Sequence, residues 1–83
     1  MKFLRMRPGF GEQLIAEGDL EVAEDEQALI AEFRRQLDQG MWAAVPILSK
    51  DGRREAAMVR AFDEIPRDTG RVIFFPRAAG GAR

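Results

Sequence analysis

One amphipathic helix is the clearest regular element that the sequence predicts, and it limits the possible folds more than any other segment. We expect it over about Asp25 to Gln39, where the apolar side chains recur at helical spacing and form one stripe: Leu29, Ile30, Phe33 and Leu37. Charged and amide side chains cover the other side, so the helix has a single face to bury. A sheet is the surface that we expect beneath it.

Charged and small residues mark both ends of this helix. Glu24, Asp25 and Glu26 stand at its start, where carboxylates are expected to cap free amides and complement the helix dipole. Gly40 is expected to end it. The wider acidic run over residues 17–26 matches no metal-binding loop motif, so we interpret it as a solvated helix start.

Short segments on both sides of the helix predict strands. Residues 2–7 and 13–16 form an expected hairpin around the turn sequence Pro8-Gly9-Phe10-Gly11. Residues 41–48 are predicted as a strand, with Pro46 placing it at a sheet edge or at a bulge. The last strand is expected over residues 71–75.

Residues 54–62 allow two interpretations. The preceding Asp51-Gly52 turn favours a strand with Ala56, Met58 and Phe62 on one side. The Ala, Met, Glu and Arg content also suits a helix, and that alternative stays open. With the strand, the expected order is strand, strand, helix, strand, strand, strand.

Composition excludes several classes of function. The chain has 83 residues, which indicates one domain, and it contains neither Cys nor His. Disulfides, thiolate nucleophiles and the usual general base are therefore excluded. No carboxylate pair is suited to catalysis, so we expect neither an enzyme nor a bound metal or cofactor. The net charge of −1 argues against nucleic-acid binding, and no apolar stretch reaches the ~18–20 residues of a membrane span, so a cytoplasmic protein is expected.

The aromatic residues near the end of the chain also allow predictions. Phe74 and Phe75 are adjacent in a strand and are expected to point to opposite faces, with one of them in the core. Core is also favoured for the second, with a partner-binding patch as the alternative. Trp42 is the single tryptophan, and we expect it in the core.

The most informative segment is the end of the sequence. An apolar strand, Val72-Ile73-Phe74-Phe75, stops at Pro76 and is followed by Arg77, Ala78, Ala79, Gly80, Gly81, Ala82 and Arg83. A tail of such small residues has little to pack and few conformational preferences. We therefore divide the chain into a folded domain over residues 1–76 and a flexible tail over residues 77–83.

The element order and this ending together resemble the ubiquitin-like β-grasp family. That fold is α+β, a mixed sheet of four to five strands with one helix packed across it. The ending is similar to that of the small sulfur-carrier subunit of molybdopterin synthase, and the segment 41–46 looks more like bacterial ubiquitin-like proteins. One departure is that Ala82 and Arg83 follow the Gly-Gly pair, whereas a sulfur carrier ends on its second Gly.

The resemblance implies a protein modifier that is a substrate and not a catalyst. Gly80 and Gly81 would form the activated end after a peptidase cleaves between Gly81 and Ala82. An activating enzyme would adenylate the Gly81 carboxylate, and a transfer enzyme would pass it to a target. Arg77, Ala78 and Ala79 would contact those enzymes.

Two alternatives remain open from the sequence. The first is a sulfur carrier that forms a thiocarboxylate on Gly81. The second is a β-grasp interaction or assembly module whose tail has no chemistry. The target, the type of bond and the oligomeric state are not indicated by the sequence.

Overall fold

A computed structural model describes residues 1–77, apart from the side chain of Leu48. Within these residues the chain forms five strands, one α-helix and a short 3₁₀ helix. Their bounds, in chain order, are β1 Lys2–Arg7, β2 Gly11–Glu17, α1 Ala23–Asp38, β3 Met41–Leu48, β4 Arg54–Val59, the 3₁₀ helix Phe62–Glu64, and β5 Arg71–Pro76. The predicted order of the α-helix and the five strands is confirmed. The strand expected over residues 54–62 ends at Val59, and the sequence does not predict the 3₁₀ helix that follows.

The five strands form one mixed sheet in the order β2-β1-β5-β3-β4. β1 and β5 are parallel, and the other neighbours are antiparallel. The last strand in the sequence therefore lies at the centre of the sheet, between β1 and β3. With α1 packed across one face, this is an α+β domain in the β-grasp arrangement, which confirms the predicted fold class.

The core lies between α1 and one face of the sheet. Leu29 and Phe33 of the predicted apolar stripe are buried, and Ile30 and Leu37 are half-buried. The ring of Phe33 lies 5.7 Å from that of Phe74 and 6.1 Å from that of Phe62, measured between centroids. Edge-on aromatic packing of this kind adds to the hydrophobic gain from burial.

A β-bulge shapes the hairpin of β1 and β2. The register shifts between Phe3, which pairs with Ala16, and Leu4, which pairs with Leu14. Ile15 is the extra residue, and both Ile15 and Ala16 pack against the core. The bulge thus lets β2 turn two consecutive side chains inward, which strict alternation would not allow.

Both predicted turns are present. The β1–β2 turn closes with the amide of Phe10 donating to the carbonyl of Arg7 over 2.9 Å. In the β3–β4 turn, Gly52 has a φ of +86° and its amide donates to the carbonyl of Ser49. This backbone conformation favours Gly, which explains the Asp-Gly signal in the sequence.

The sequence predicts the C-terminal end of α1 correctly and the capping at its N-terminal end incorrectly. Gly40, at a φ of +88°, follows the C-cap residue Gln39 as expected. At the other end the expected carboxylate capping is wrong, because the N-cap residue is Val22 and no side chain caps it. The Asp25 carboxylate instead accepts from the amide of Asp19 over 2.9 Å, outside the helix.

Four side-chain placements differ from the sequence-based expectations. Gln36, expected on the solvated side of α1, is only 2% exposed. Phe62 does not share a side with Ala56 and Met58, because it lies in the 3₁₀ helix and packs against the core. Trp42, expected in the core, is 44% exposed.

Pro46 is the fourth. The sequence predicts it on an edge strand or at a bulge, but β3 lies between β5 and β4, and its register with β4 runs through Pro46 without a shift. The ladder between β3 and β5 ends at Ala44. Beyond that point one side of β3 has no partner strand among the described residues, so a residue without an amide hydrogen is tolerated.

Across residues 1–77, no helix combines the length and the apolar composition that a membrane crossing requires.

Candidate functional site

The end of β5 is where the structure comes closest to the predicted tail site. β5 pairs with β1 through Phe74 and with β3 through Pro76, so it is held on both sides almost to its last residue. The chain then leaves the sheet at the exposed Arg77, whose amide donates to the carbonyl of Gly40 over 3.4 Å. The tail exit, which we define as Pro76 and Arg77, is therefore anchored to the centre of the sheet.

The remaining predicted tail residues lie outside the described part of the chain. These are Ala78, Ala79, Gly80, Gly81, Ala82 and Arg83. Their roles in activation, processing and enzyme contact stay predictions. The predicted domain boundary at residue 76 coincides with the last residue of β5.

A pocket lies beside the tail exit. Its volume is about 490 Å³, and Arg77 and Arg60 stand at its margin. The other lining residues come from the end of α1, the start of β3 and the end of β4: Leu37, Met41, Trp42, Ala43, Met58 and Val59. The pocket is mainly apolar, with two cations at its margin.

Apolar side chains from all five strands lie together on the face of the sheet opposite α1, and charged residues such as Glu12 and Arg71 share that face. Directly opposed residues on neighbouring strands point to the same face. The pairs Leu4 with Leu14, Leu4 with Ile73, and Trp42 with Phe75 therefore lie together on this side, and Met58 joins them through Ala44. We call this set the open face: Leu4, Leu14, Trp42, Met58, Ile73 and Phe75.

Several side chains of the open face are unusually accessible for their size. Leu14 is 50% exposed, Met58 46% and Trp42 44%. Charged residues stand at the margin, where Arg71 approaches Glu12 within 3.9 Å. An exposed apolar surface with a polar margin is typical of a site for protein interaction.

The sequence did not reveal the open face because both sides of β3 are apolar. Met41, Ala43 and Val45 are buried under α1, whereas Trp42 alternates with them and points away. In β5 the prediction of opposite faces is confirmed, since Phe74 is in the core and Phe75 is half-buried on the open face. Core placement, which the sequence favours for the second phenylalanine, is therefore wrong for Phe75, and the partner-binding patch stays a prediction.

Two described polar groups that could in principle take part in chemistry, the Ser49 hydroxyl and the Glu26 carboxylate, make local structural contacts. The hydroxyl of Ser49 hydrogen-bonds Asp51 within the β3–β4 turn, and this bond holds the pKa of the Asp51 carboxyl below its ordinary value. The Glu26 carboxylate pairs with Arg67 at 2.9 Å. Among residues 1–77, no three acidic side chains are placed so that they could hold a metal ion.

Comparisons of the sequence with protein-family models, with curated proteins and with solved structures found no match.

Proposed function

We propose that this chain is a ubiquitin-like protein modifier. A peptidase cleaves after Gly81, and an activating enzyme joins the new carboxylate to the α-phosphate of ATP with release of pyrophosphate. A transfer enzyme then passes the Gly81 acyl group to a nucleophilic group of a target protein, and the bond to AMP breaks so that AMP leaves. The domain itself is a substrate in this scheme. We place the reactions in the cytoplasm, where the activating enzyme has access to ATP.

The observation that carries this proposal is the geometry of the tail exit. β5 is central in the sheet and paired on both sides, so the segment after Pro76 starts from a fixed point. In the sequence that segment reads Arg-Ala-Ala-Gly-Gly. Gly residues lack a Cβ and let an extended chain approach catalytic groups closely.

The open face supports the same proposal. Phe75 belongs to it and is only two residues before Arg77, so an enzyme that covers the open face also meets the start of the tail. In this scheme the enzyme recognises the open face, and the reaction takes place further along the chain, on the tail.

A second candidate is an interaction module whose tail has no chemistry. The open face favours it, because an exposed apolar surface binds a partner whether or not the tail reacts. The sulfur-carrier hypothesis uses the same tail as the modifier hypothesis. The two differ only in the product, which is a Gly81 thiocarboxylate for the carrier and a Gly81 conjugate for the modifier.

Intact-mass spectrometry of the chain expressed with its genomic neighbours tests the proposal. A modifier loses the mass of everything after Gly81 and then appears in heavier conjugates. A Gly81→Asp variant is the control, since it keeps the domain but should not be conjugated. Trimming followed by exchange of oxygen for sulfur would identify a sulfur carrier instead. An intact chain beside an active peptidase would contradict both and leave the interaction module.

A further inference from the structure

A cleft opens on the helix side of the sheet, beside the tail exit. It lies between the β1–β2 hairpin and the last turns of α1, and its volume is about 440 Å³. The lining side chains that matter here are three arginines and three glutamines: Arg5, Arg7, Arg35, Gln13, Gln36 and Gln39. Pro76, at the end of β5, lines the same cleft.

The charge in this cleft is opposite to that of the whole chain. The chain carries a net charge of −1. No carboxylate is among the described residues that line the cleft, and the run of acidic residues at 17–26 lies at the other end of α1. Glu32, which does not line the cleft, accepts from Arg35, whereas the guanidinium groups of Arg5 and Arg7 bond neutral amides.

Neutral amides hold two of the arginines in place. Arg5 donates from Nη1 to the Oε1 atoms of Gln36, at 3.2 Å, and of Gln39, at 2.9 Å. Arg7 donates from Nη1 to the Oε1 of Gln13 at 2.9 Å. These bonds fix the guanidinium groups without cancelling their charge, so less side-chain freedom is lost when an anion binds.

The third arginine, Arg35, is held by the carboxylate of Glu32. Glu32 accepts from the Nε and Nη2 of Arg35 at 3.1 and 2.9 Å, and also from the Nε2 of Gln36 at 2.7 Å. Gln36 is 2% exposed, and it links Arg5 to Glu32 through two part-buried hydrogen bonds. The basic cleft is therefore built on a buried polar residue.

We infer that this cleft binds an acidic segment of a partner protein. Guanidinium groups pair well with carboxylates through charge-assisted, bidentate hydrogen bonds. A peptide is favoured over a nucleic acid, because the net charge of the domain is negative and no aromatic side chain is among the described residues that line the cleft. The exposed ring of Phe10 lies 6.0 Å from the Arg7 guanidinium, outside that lining. Since Pro76 forms part of the wall, the bound segment lies against the tail exit.

Fluorescence anisotropy with a labelled, short Asp/Glu-rich peptide and the full chain tests this inference. We expect binding that weakens as salt is raised and is absent for a matched Asn/Gln peptide. The double variant Arg7→Gln with Arg35→Gln should weaken binding about tenfold, as expected for two exposed charge pairs. Both side chains are exposed, so the fold should be retained, which thermal unfolding checks.

The matched control is Lys50→Gln with Arg54→Gln, which removes two positive charges at the opposite end of β3. Equal weakening by this pair would mean that net charge alone attracts the peptide and would overturn the inference. Equal or tighter binding of a single-stranded RNA of the same charge would overturn it in favour of nucleic acid, and absence of binding at low salt would also overturn it. This binding does not require tail chemistry, so it can fail while Gly81 is conjugated, or succeed while Gly81 is not.

Discussion

Trp42 and Phe75 are directly opposed on β3 and β5, and their rings lie side by side on the open face with centroids 6.5 Å apart and planes at 43°. The contact joins the most exposed large aromatic of the sheet to the strand that leads into the tail. A protein that covers Trp42 is therefore brought to the tail exit as well.

Trp42 should behave as a solvent-accessible fluorophore. It is the single tryptophan and is 44% exposed, so its emission should be quenched readily by acrylamide in the isolated chain. Binding of a partner to the open face should shift the emission to the blue and reduce quenching. A Phe75→Ala variant should expose the indole further. If dilute, isolated protein shows the blue-shifted emission of a buried indole, the placement of Trp42 on an exposed open face is wrong.

Phe33→Ala should destabilise the domain by about 3–5 kcal/mol, since truncating a buried Phe removes apolar contacts and leaves a cavity. The ring is 1% exposed and packs against Phe74 and Phe62. Urea unfolding followed by circular dichroism measures the change. Arg34→Ala, one residue along on the exposed side of α1, is the matched control and should change the free energy of unfolding by less than about 0.5 kcal/mol. Similar costs for both would show that the helix faces are misassigned.

Gln36→Ala should cost more than Gln39→Ala, although both side chains accept a hydrogen bond from Arg5. The Gln36 side chain is buried and bonds both Glu32 and Arg5, so its removal breaks two part-buried hydrogen bonds and leaves a cavity, at about 1–3 kcal/mol. Gln39 is exposed, and water can replace its amide. Chemical denaturation of the two variants side by side provides the comparison, and equal losses would rule out a special role for the buried amide.

Removal of residues 80–83 should abolish conjugation and leave the melting temperature unchanged. This rests on the proposed function and on the sequence of the tail, which follows the last strand residue, Pro76. Differential scanning fluorimetry of the truncated and full chains, together with the mass assay, measures both effects. A large drop in melting temperature would mean that the tail contributes to the fold.

The Asp51 carboxyl should titrate below the ordinary range for Asp in an NMR pH titration. The chief cause is the hydrogen bond from the Ser49 hydroxyl, which favours the charged carboxylate and lowers the pKa. Because the pKa is lowered on folding, the group stabilises the turn above its unfolded pKa, and that contribution is lost as the pH falls through the folded pKa. Ser49→Ala should raise the midpoint, and Thr69→Val should not. An unchanged midpoint in Ser49→Ala would exclude this cause.

Local pattern places the α-helix and most of the strands, but it leaves residues 54–62 open between strand and helix and does not predict the 3₁₀ helix Phe62–Glu64. The stripe of Leu29 and Phe33 identifies α1, and turn residues such as Gly52 mark the hairpins, because periodicity and allowed φ angles depend on neighbours in the sequence. The absence of Cys and His limits the chemistry that the chain can perform, whatever its fold. The prediction that Gly81 is the activated residue rests on the sequence alone, because Gly81 lies outside the described residues.

The residue positions on which the two proposals rest are decided by long-range pairing. Trp42 faces outward because the register of β3 against β5 turns Met41 and Ala43 inward, and both faces of that strand are apolar in sequence. Arg5 and Arg7 meet Arg35 at one cleft because the hairpin and the end of α1 come together in space, although the two segments are distant along the chain. Such contacts depend on the free energy of the whole packed domain, which no short segment of the sequence contains.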